Sequence, residues 1–133
     1  MAEILIVDDE PDLAEMLADL LMEQGHLVRI ASNGDEGLRA LAVRHPDLVL
    51  LDVEMPLLDG PGMAYQMLVR DCGLEEVPIV LLSGVVGLPS VAARVGTPYF
   101  LPKPYAPRDV VSLCDRALKE QRAPTPPRVA ARR

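Results

Sequence analysis

Four apolar runs in this 133-residue chain each end on polar side chains able to do chemistry. ILIVDDE (4–10) ends on Asp8 and Asp9, LVLLD (48–52) on Asp52, VLLS (80–83) on Ser83, and FLPK (100–103) on Lys103. Asp8, Asp9 and Asp52 offer hard oxygen ligands. Neighbouring carboxylates repel, so such a set asks for a cation. Mg²⁺ suits it, being bound by about six oxygens, several of them water. Calcium lacks its EF-hand loop spacing here, and the two histidines, His26 and His45, fall away from these positions, which disfavours zinc. Ser83 and Lys103 change the meaning of the set. A metal alone needs no ammonium, whereas Mg²⁺, a hydroxyl and an ammonium together neutralise the oxygens of a phosphoryl group. Asp52, placed between the two subsets, would then be a nucleophile forming an aspartyl phosphate.

These residues need elements that bring them to one place. AEILIVDD is nearly unbroken apolar sequence before its acids, the mark of a strand covered on both faces. Leu13, Met16, Leu17, Leu20 and Leu21 recur on one helical face behind Pro11, with Gly25 as a stop. LVRIAS reads as a second strand. Leu38, Leu41 and Ala42 mark a helix ending before Pro46. DLVLLDVEMP is a third strand, and Met63, Met67 and Leu68 a helix stopped near Gly73. PIVLLSG and YFLPK are strands four and five. Val110, Leu113, Cys114, Ala117 and Leu118 form a last amphipathic helix. This alternation predicts an α/β fold, a doubly wound five-stranded parallel sheet with helices on both faces. Ligands of such sheets sit at the carboxyl ends of the strands, where every polar group named above falls.

The totals restrict the function. The length suits one domain with an adequate core. A net charge of −7 sets nucleic acid aside as a partner of the folded body. No basic leader follows Met1 and no apolar run reaches the ~20 residues of a membrane span, so the expectation is a cytoplasmic chain without membrane contact. Cys72 and Cys114 have no metal or redox spacing and read as reduced packing residues. The tail RAPTPPRVAARR, 122–133, holds four arginines, three prolines and no acid. It reads as a disordered extension or cut linker after a domain of residues 1–121. With no output domain following, the expected role is relay or docking rather than transcriptional control.

Taken together, ILIVDDE at 4–10, LLDVEMPLLDG at 50–60, VLLSG at 80–84 and FLPKPY at 100–105 resemble the receiver domain of bacterial two-component response regulators, of the single-domain type. The resemblance covers residues 3–121. It implies that Asp52 accepts a phosphoryl group from a histidine kinase or histidine phosphotransfer protein, and that the chain is a phosphoacceptor rather than an enzyme. It further implies Mg²⁺ held by Asp9 directly, by Asp8 through water, by Asp52, and by the backbone carbonyl of Glu54. Ser83 resembles the hydroxyl that moves to the phosphoryl group and Lys103 the ammonium that pairs with it. Pro104 would follow a cis peptide bond, and Phe100 takes the position of the aromatic switch. Output is expected through a downstream protein or a homodimer, using the segment 84–118.

Three features depart from the pattern. The stretch from Ser83 to Lys103 is rich in breakers, and only SVAARV, 90–95, looks helical, which predicts a shortened fourth helix. Phe100 lacks the hydroxyl of the tyrosine common at its position. Glu54 puts a charge beside the acceptor. Two alternatives belong to other classes. An aspartate-nucleophile phosphatase would use Glu54 as its general acid, but its partner carboxylates belong late in the chain and it needs a cap domain. An interaction module independent of phosphorylation would not need the full set of Asp8, Asp9, Asp52, Ser83 and Lys103.

Overall fold

A computed structural model describes residues 1–52 and 63–125, with backbone only for 63–67. The elements alternate as expected: β1 (Glu3–Asp8), α1 (Pro11–Glu23), β2 (Leu27–Ala31), α2 (Gly34–Val43), β3 (Leu48–Asp52), α3 (Met63–Leu74), β4 (Ile79–Ser83), α4 (Leu88–Val95), β5 (Tyr99–Pro102) and α5 (Pro107–Glu120). The strands form one parallel sheet in the order β2-β1-β3-β4-β5. Winding starts at β1, runs outward to β2, then returns past β1 to β3. The carboxyl ends of β1 and β3 therefore flank the switch point, where adjacent crossovers leave in opposite directions and a crevice opens.

Alternation along the strands divides the core. Ile4, Ile6, Leu48, Leu50, Val80, Leu82 and Tyr99 face α1 and α5, meeting Leu17, Leu21, Val110 and Cys114. Leu5, Val7, Val49, Leu51, Ile79 and Leu81 face the other way, meeting Leu41 of α2, Leu68 and Cys72 of α3, and Ala92 and Val95 of α4. Both cysteines are buried and free, as packing residues should be. Each wholly buried aliphatic chain contributes roughly 1.5–3 kcal/mol, so three strands covered on both sides anchor the sheet. The same alternation sorts the polar ends. Asp8 and Asp52 continue the α1/α5 parity, while Ser83 and Phe100 fall on the α4 side.

Local chemistry sets the helix ends. The Asn33 side chain accepts a hydrogen bond from the Glu36 N–H, and the Glu36 carboxylate accepts one from the Ser32 N–H, a reciprocal N-terminal cap on α2. Helix α4 starts at Leu88, two residues before the expected 90–95. Gly87 and Gly96, at φ 77 and 81, take left-handed conformations at its two ends, and Pro89 lies in its first turn. Those residues are caps rather than interior breakers. At eight residues α4 is nonetheless the shortest helix of the described chain.

The beginning of the tail is not a free end. Gln121 closes α5 at φ 54. Pro124 is buried, and the Thr125 N–H donates to the Gly96 carbonyl at 3.1 Å. The chain thus runs back past Gly73, where an added Cβ would come within 2.9 Å of the Pro124 carbonyl oxygen. Residues 122–125 lie against the domain, and residues 126–133 of the expected disordered extension or cut linker lie outside the described part. No helix among the described residues is long and apolar enough to cross a membrane.

Candidate functional site

Strand register brings the acids together. Asp8 and Asp52 are direct partners across the β1–β3 pair. Both are buried, at 2% and 1% exposure. Carboxylates are rarely enclosed this way unless something compensates their charge. For Asp52 a compensating group is in place: Lys103 Nζ lies 3.0 Å from its Oδ1. The same ammonium is 3.4 Å from Glu10 Oε1, at the start of α1. Lys103 reaches the rim because its backbone N–H donates to the Ser83 carbonyl at 3.0 Å, continuing the β4–β5 ladder one residue past β5. The Lys103–Pro104 peptide bond is cis.

Asp8 is only half satisfied. Its Oδ1 accepts the Glu10 N–H at 2.9 Å, while its buried Oδ2 has no hydrogen-bond partner among the described residues. Burial raises its carboxyl above the ordinary range. The hydrogen bond from Glu10 and the charge of Lys103 work against that rise, and Asp9 and Glu10 add to it. Carboxylate oxygens of Asp8, Asp9 and Glu10 lie within 4.8 Å of one another. An orphaned buried oxygen beside two exposed acids fits a hard divalent cation on the solvent side of Asp8. Glu10 thus joins Asp8 and Asp9 in this cluster. Glu54, the expected carbonyl ligand, lies outside the described residues.

Ser83 approaches from the α4 side. It is fully enclosed, and its Oγ accepts the Val85 N–H at 3.1 Å. Phe100 is half-buried against the cluster that includes Ala92 and Val95. It pairs in register with Leu81, two residues before Ser83 on the same face of β4. The sequence reading missed Tyr105. Its hydroxyl is buried without a hydrogen-bond partner among the described residues, and burial, followed by the charge of Asp52, pushes the phenol up to about 12. The quoted FLPKPY motif contains this residue, and a hydroxyl two positions after the lysine was the available signal. The histidines are remote: His26 Nδ1 accepts the Ala2 N–H and His45 pairs with Glu75.

The family model for the response regulator receiver domain matches residues 4–115. The chain belongs to that family. It is 34% identical over 126 residues to protein Rrf1 of Nitratidesulfovibrio vulgaris, covering 94% of this chain and 88% of that protein. It is 34% identical over 124 residues to the nitrogen assimilation regulatory protein NtrX of Azorhizobium caulinodans, covering 90% of this chain but 27% of the relative. In three dimensions it resembles the crystal structure of the receiver domain of NtrX from Brucella abortus. There the TM-score is 0.71 at 34% identity, over 87% of this chain and 98% of that one. The receiver thus spans nearly all of one relative and about a quarter of another. Receivers serve two-component signal transduction as phosphoacceptors rather than as enzymes in the usual sense, and the five-stranded doubly wound sheet is their fold.

Proposed function

We propose that this receiver takes a phosphoryl group from a phosphohistidine onto Asp52 and uses it to change its protein contacts. The observation that carries this reading is the buried Asp52 carboxylate at the switch point, held 3.0 Å from Lys103 and in register with Asp8. A carboxylate oxygen of Asp52 attacks phosphorus, the new P–O bond forms, and the P–N bond breaks with its electron pair passing to the departing imidazole. Lys103 stays beside the acceptor and balances charge that accumulates on the transferring oxygens. Mg²⁺, held by Asp8, Asp9, Asp52 and the Glu54 carbonyl, would supply Lewis-acid neutralisation of those oxygens. The donor is a histidine kinase or a histidine phosphotransfer protein, and the working compartment is the cytoplasm.

Phosphorylation replaces a carboxylate by a group of about −1.5 to −2 charge with strong acceptor oxygens. The Ser83 hydroxyl, now engaged with the Val85 N–H, turns to donate to one of them. Ser83 and Phe100 share the α4 face, so that turn loosens the 84–87 backbone and gives the Phe100 ring room to move inward. Packed faces respond in discrete steps, and α4 is short enough to yield. Output then passes through the segment 84–118 to a downstream protein or a second copy.

Intact-mass measurement after incubation with acetyl phosphate and Mg²⁺ tests the acceptor. The wild type should gain one phosphoryl group and Asp52→Asn none; equal modification of D52N refutes the assignment. Ser83→Ala should still accept phosphate while losing most of the amide shift changes over 84–105. A full wild-type shift pattern in S83A would rule out the hydroxyl as trigger.

A further inference from the structure

Tyr105 stands between the cis Lys103–Pro104 bond and the start of α5. Its ring packs against the α1/α5 cluster that contains Ile6, Leu50 and Leu82. Its hydroxyl oxygen is enclosed and has no hydrogen-bond partner among the described residues. A buried tyrosine ordinarily directs its hydroxyl to an acceptor. Phenylalanine would fill the same apolar space without that cost, so the hydroxyl points to a second state in which it has an acceptor. The charges that act on it are all at the rim: Asp52, Lys103, Asp8 and Glu10. With the phenol held up at about 12, it is protonated at neutral pH and presents a donor.

The charges of three acids act on this donor, yet none comes within hydrogen-bond reach. A group that extends outward from Asp52 would shorten that gap. The approach differs from that of Ser83, which comes from the α4 face, whereas Lys103 and Tyr105 arrive together from the β5–α5 connection. Resting on the reading of Asp52 as phosphoacceptor, we propose that Tyr105 is a further positioning residue of the site, whose O–H donates to an oxygen of the tetrahedral anion carried on Asp52. In the resting protein the hydroxyl waits in the apolar wall. In the phosphorylated protein it holds one oxygen from the side opposite Ser83, which makes Tyr105 a determinant of how firmly the phosphorylated state is held.

Titration of the full chain with beryllium fluoride in Mg²⁺ tests this, because that anion adds to carboxylates as a tetrahedral phosphoryl mimic. Tyr105→Phe keeps the ring and its packing. The variant should bind the anion about tenfold more weakly, the scale of one hydrogen bond to a charged acceptor. Without metal and anion it should melt at the same temperature as wild type or higher, because the lost hydroxyl has no resting partner among the described residues. Mg²⁺ affinity without the anion should be unchanged. Equal anion affinity in wild type and Y105F overturns the role of Tyr105 alone. A lower metal-free melting temperature in Y105F also overturns it, by revealing a resting partner. Failure of the wild type to take up the anion overturns the reading of Asp52 as well.

Discussion

The two ends of the sheet handle buried polar groups in opposite ways. At the amino ends of the strands they find permanent partners within the chain. Glu3 bridges Arg29 and Arg44, each at 2.7 Å. Arg29 also donates to the carbonyls of Ala40 and Arg44, and the Asp47 carboxylate accepts the Glu3 N–H at 2.8 Å. Thr97, almost fully enclosed, donates to the Ile79 carbonyl at 2.6 Å and accepts the Tyr99 N–H at 3.1 Å. At the carboxyl ends Asp8 keeps one buried oxygen without a hydrogen-bond partner among the described residues, and Tyr105 keeps its hydroxyl so. The pKa directions agree: hydrogen bonding to Arg44 holds Glu3 below the ordinary carboxylate range, and burial holds Asp8 above it. One end spends its polar groups on stability. At the other, Asp8 and Tyr105 keep polar atoms that no described residue satisfies.

Thr97→Val should show the first half of this contrast most strongly. The change is nearly isosteric but strands the Ile79 carbonyl and the Tyr99 N–H. Two buried groups left unsatisfied cost about 2–4 kcal/mol, a fall in melting temperature on the order of 10 °C. Mg²⁺ affinity should not change, since Thr97 lies at the far end of the sheet. A melting curve and a metal titration on the same sample check both statements, and a T97V protein as stable as wild type would break the comparison at its satisfied end.

Asp8→Asn should act in the opposite direction. Asparagine retains an oxygen for the Glu10 N–H and removes a buried charge. In chelator the variant should be more stable by about 1 kcal/mol, and in excess Mg²⁺ the ranking should reverse, because wild type alone gains the full binding energy of the metal. Loss of stability in D8N under chelator would mean that Asp8 is a structural acid like Glu3, and the distinction between the two ends would fail.

Much of this architecture was legible because its signals are local. The runs of β1, β3 and β4 are apolar at every position facing either layer, so ILIV, LVLL and IVLL announce covered strands directly. Acids at their ends announce the rim. What the sequence did not reveal depends on contacts between distant segments. Glu3 meets Arg29 and Arg44 across 26 and 41 positions, and nothing near Glu3 distinguishes it from a surface acid. Thr97 looks like a loop residue until Ile79 is placed above it. Gly87 and Pro89 looked like breakers because the composition that interrupts a helix also begins one. Tyr105 looked like filling because only the surrounding charges show where its hydroxyl lies. Pro124 and Thr125 looked free because the residues they lie against, Gly73 in α3 and Gly96 at the end of α4, are far from them in sequence.

The smallest effect gives the finest separation, since it compares signs along one acid titration. Glu3 has its carboxyl lowered from an ordinary 4.5. Its contribution is therefore present above that value and lost as pH falls through its folded pKa. Asp8 has its carboxyl raised from 3.8. Stability linked to it is complete below that value and lost as pH rises through its folded pKa. Glu3→Gln should be less stable than wild type at neutral pH by about 0.5–1 kcal/mol, a modest figure because Arg44 is largely exposed and solvent screens the pair. That deficit should close on acidification as wild-type Glu3 becomes protonated. The advantage of D8N in chelator should close too, from the other side, as wild-type Asp8 takes up its proton. Urea unfolding of the three proteins at intervals from pH 7 to pH 3 would follow both gaps. If D8N instead showed a deficit in chelator at neutral pH that closed on acidification, as that of E3Q should, Asp8 would not be the strained acid at the functional end.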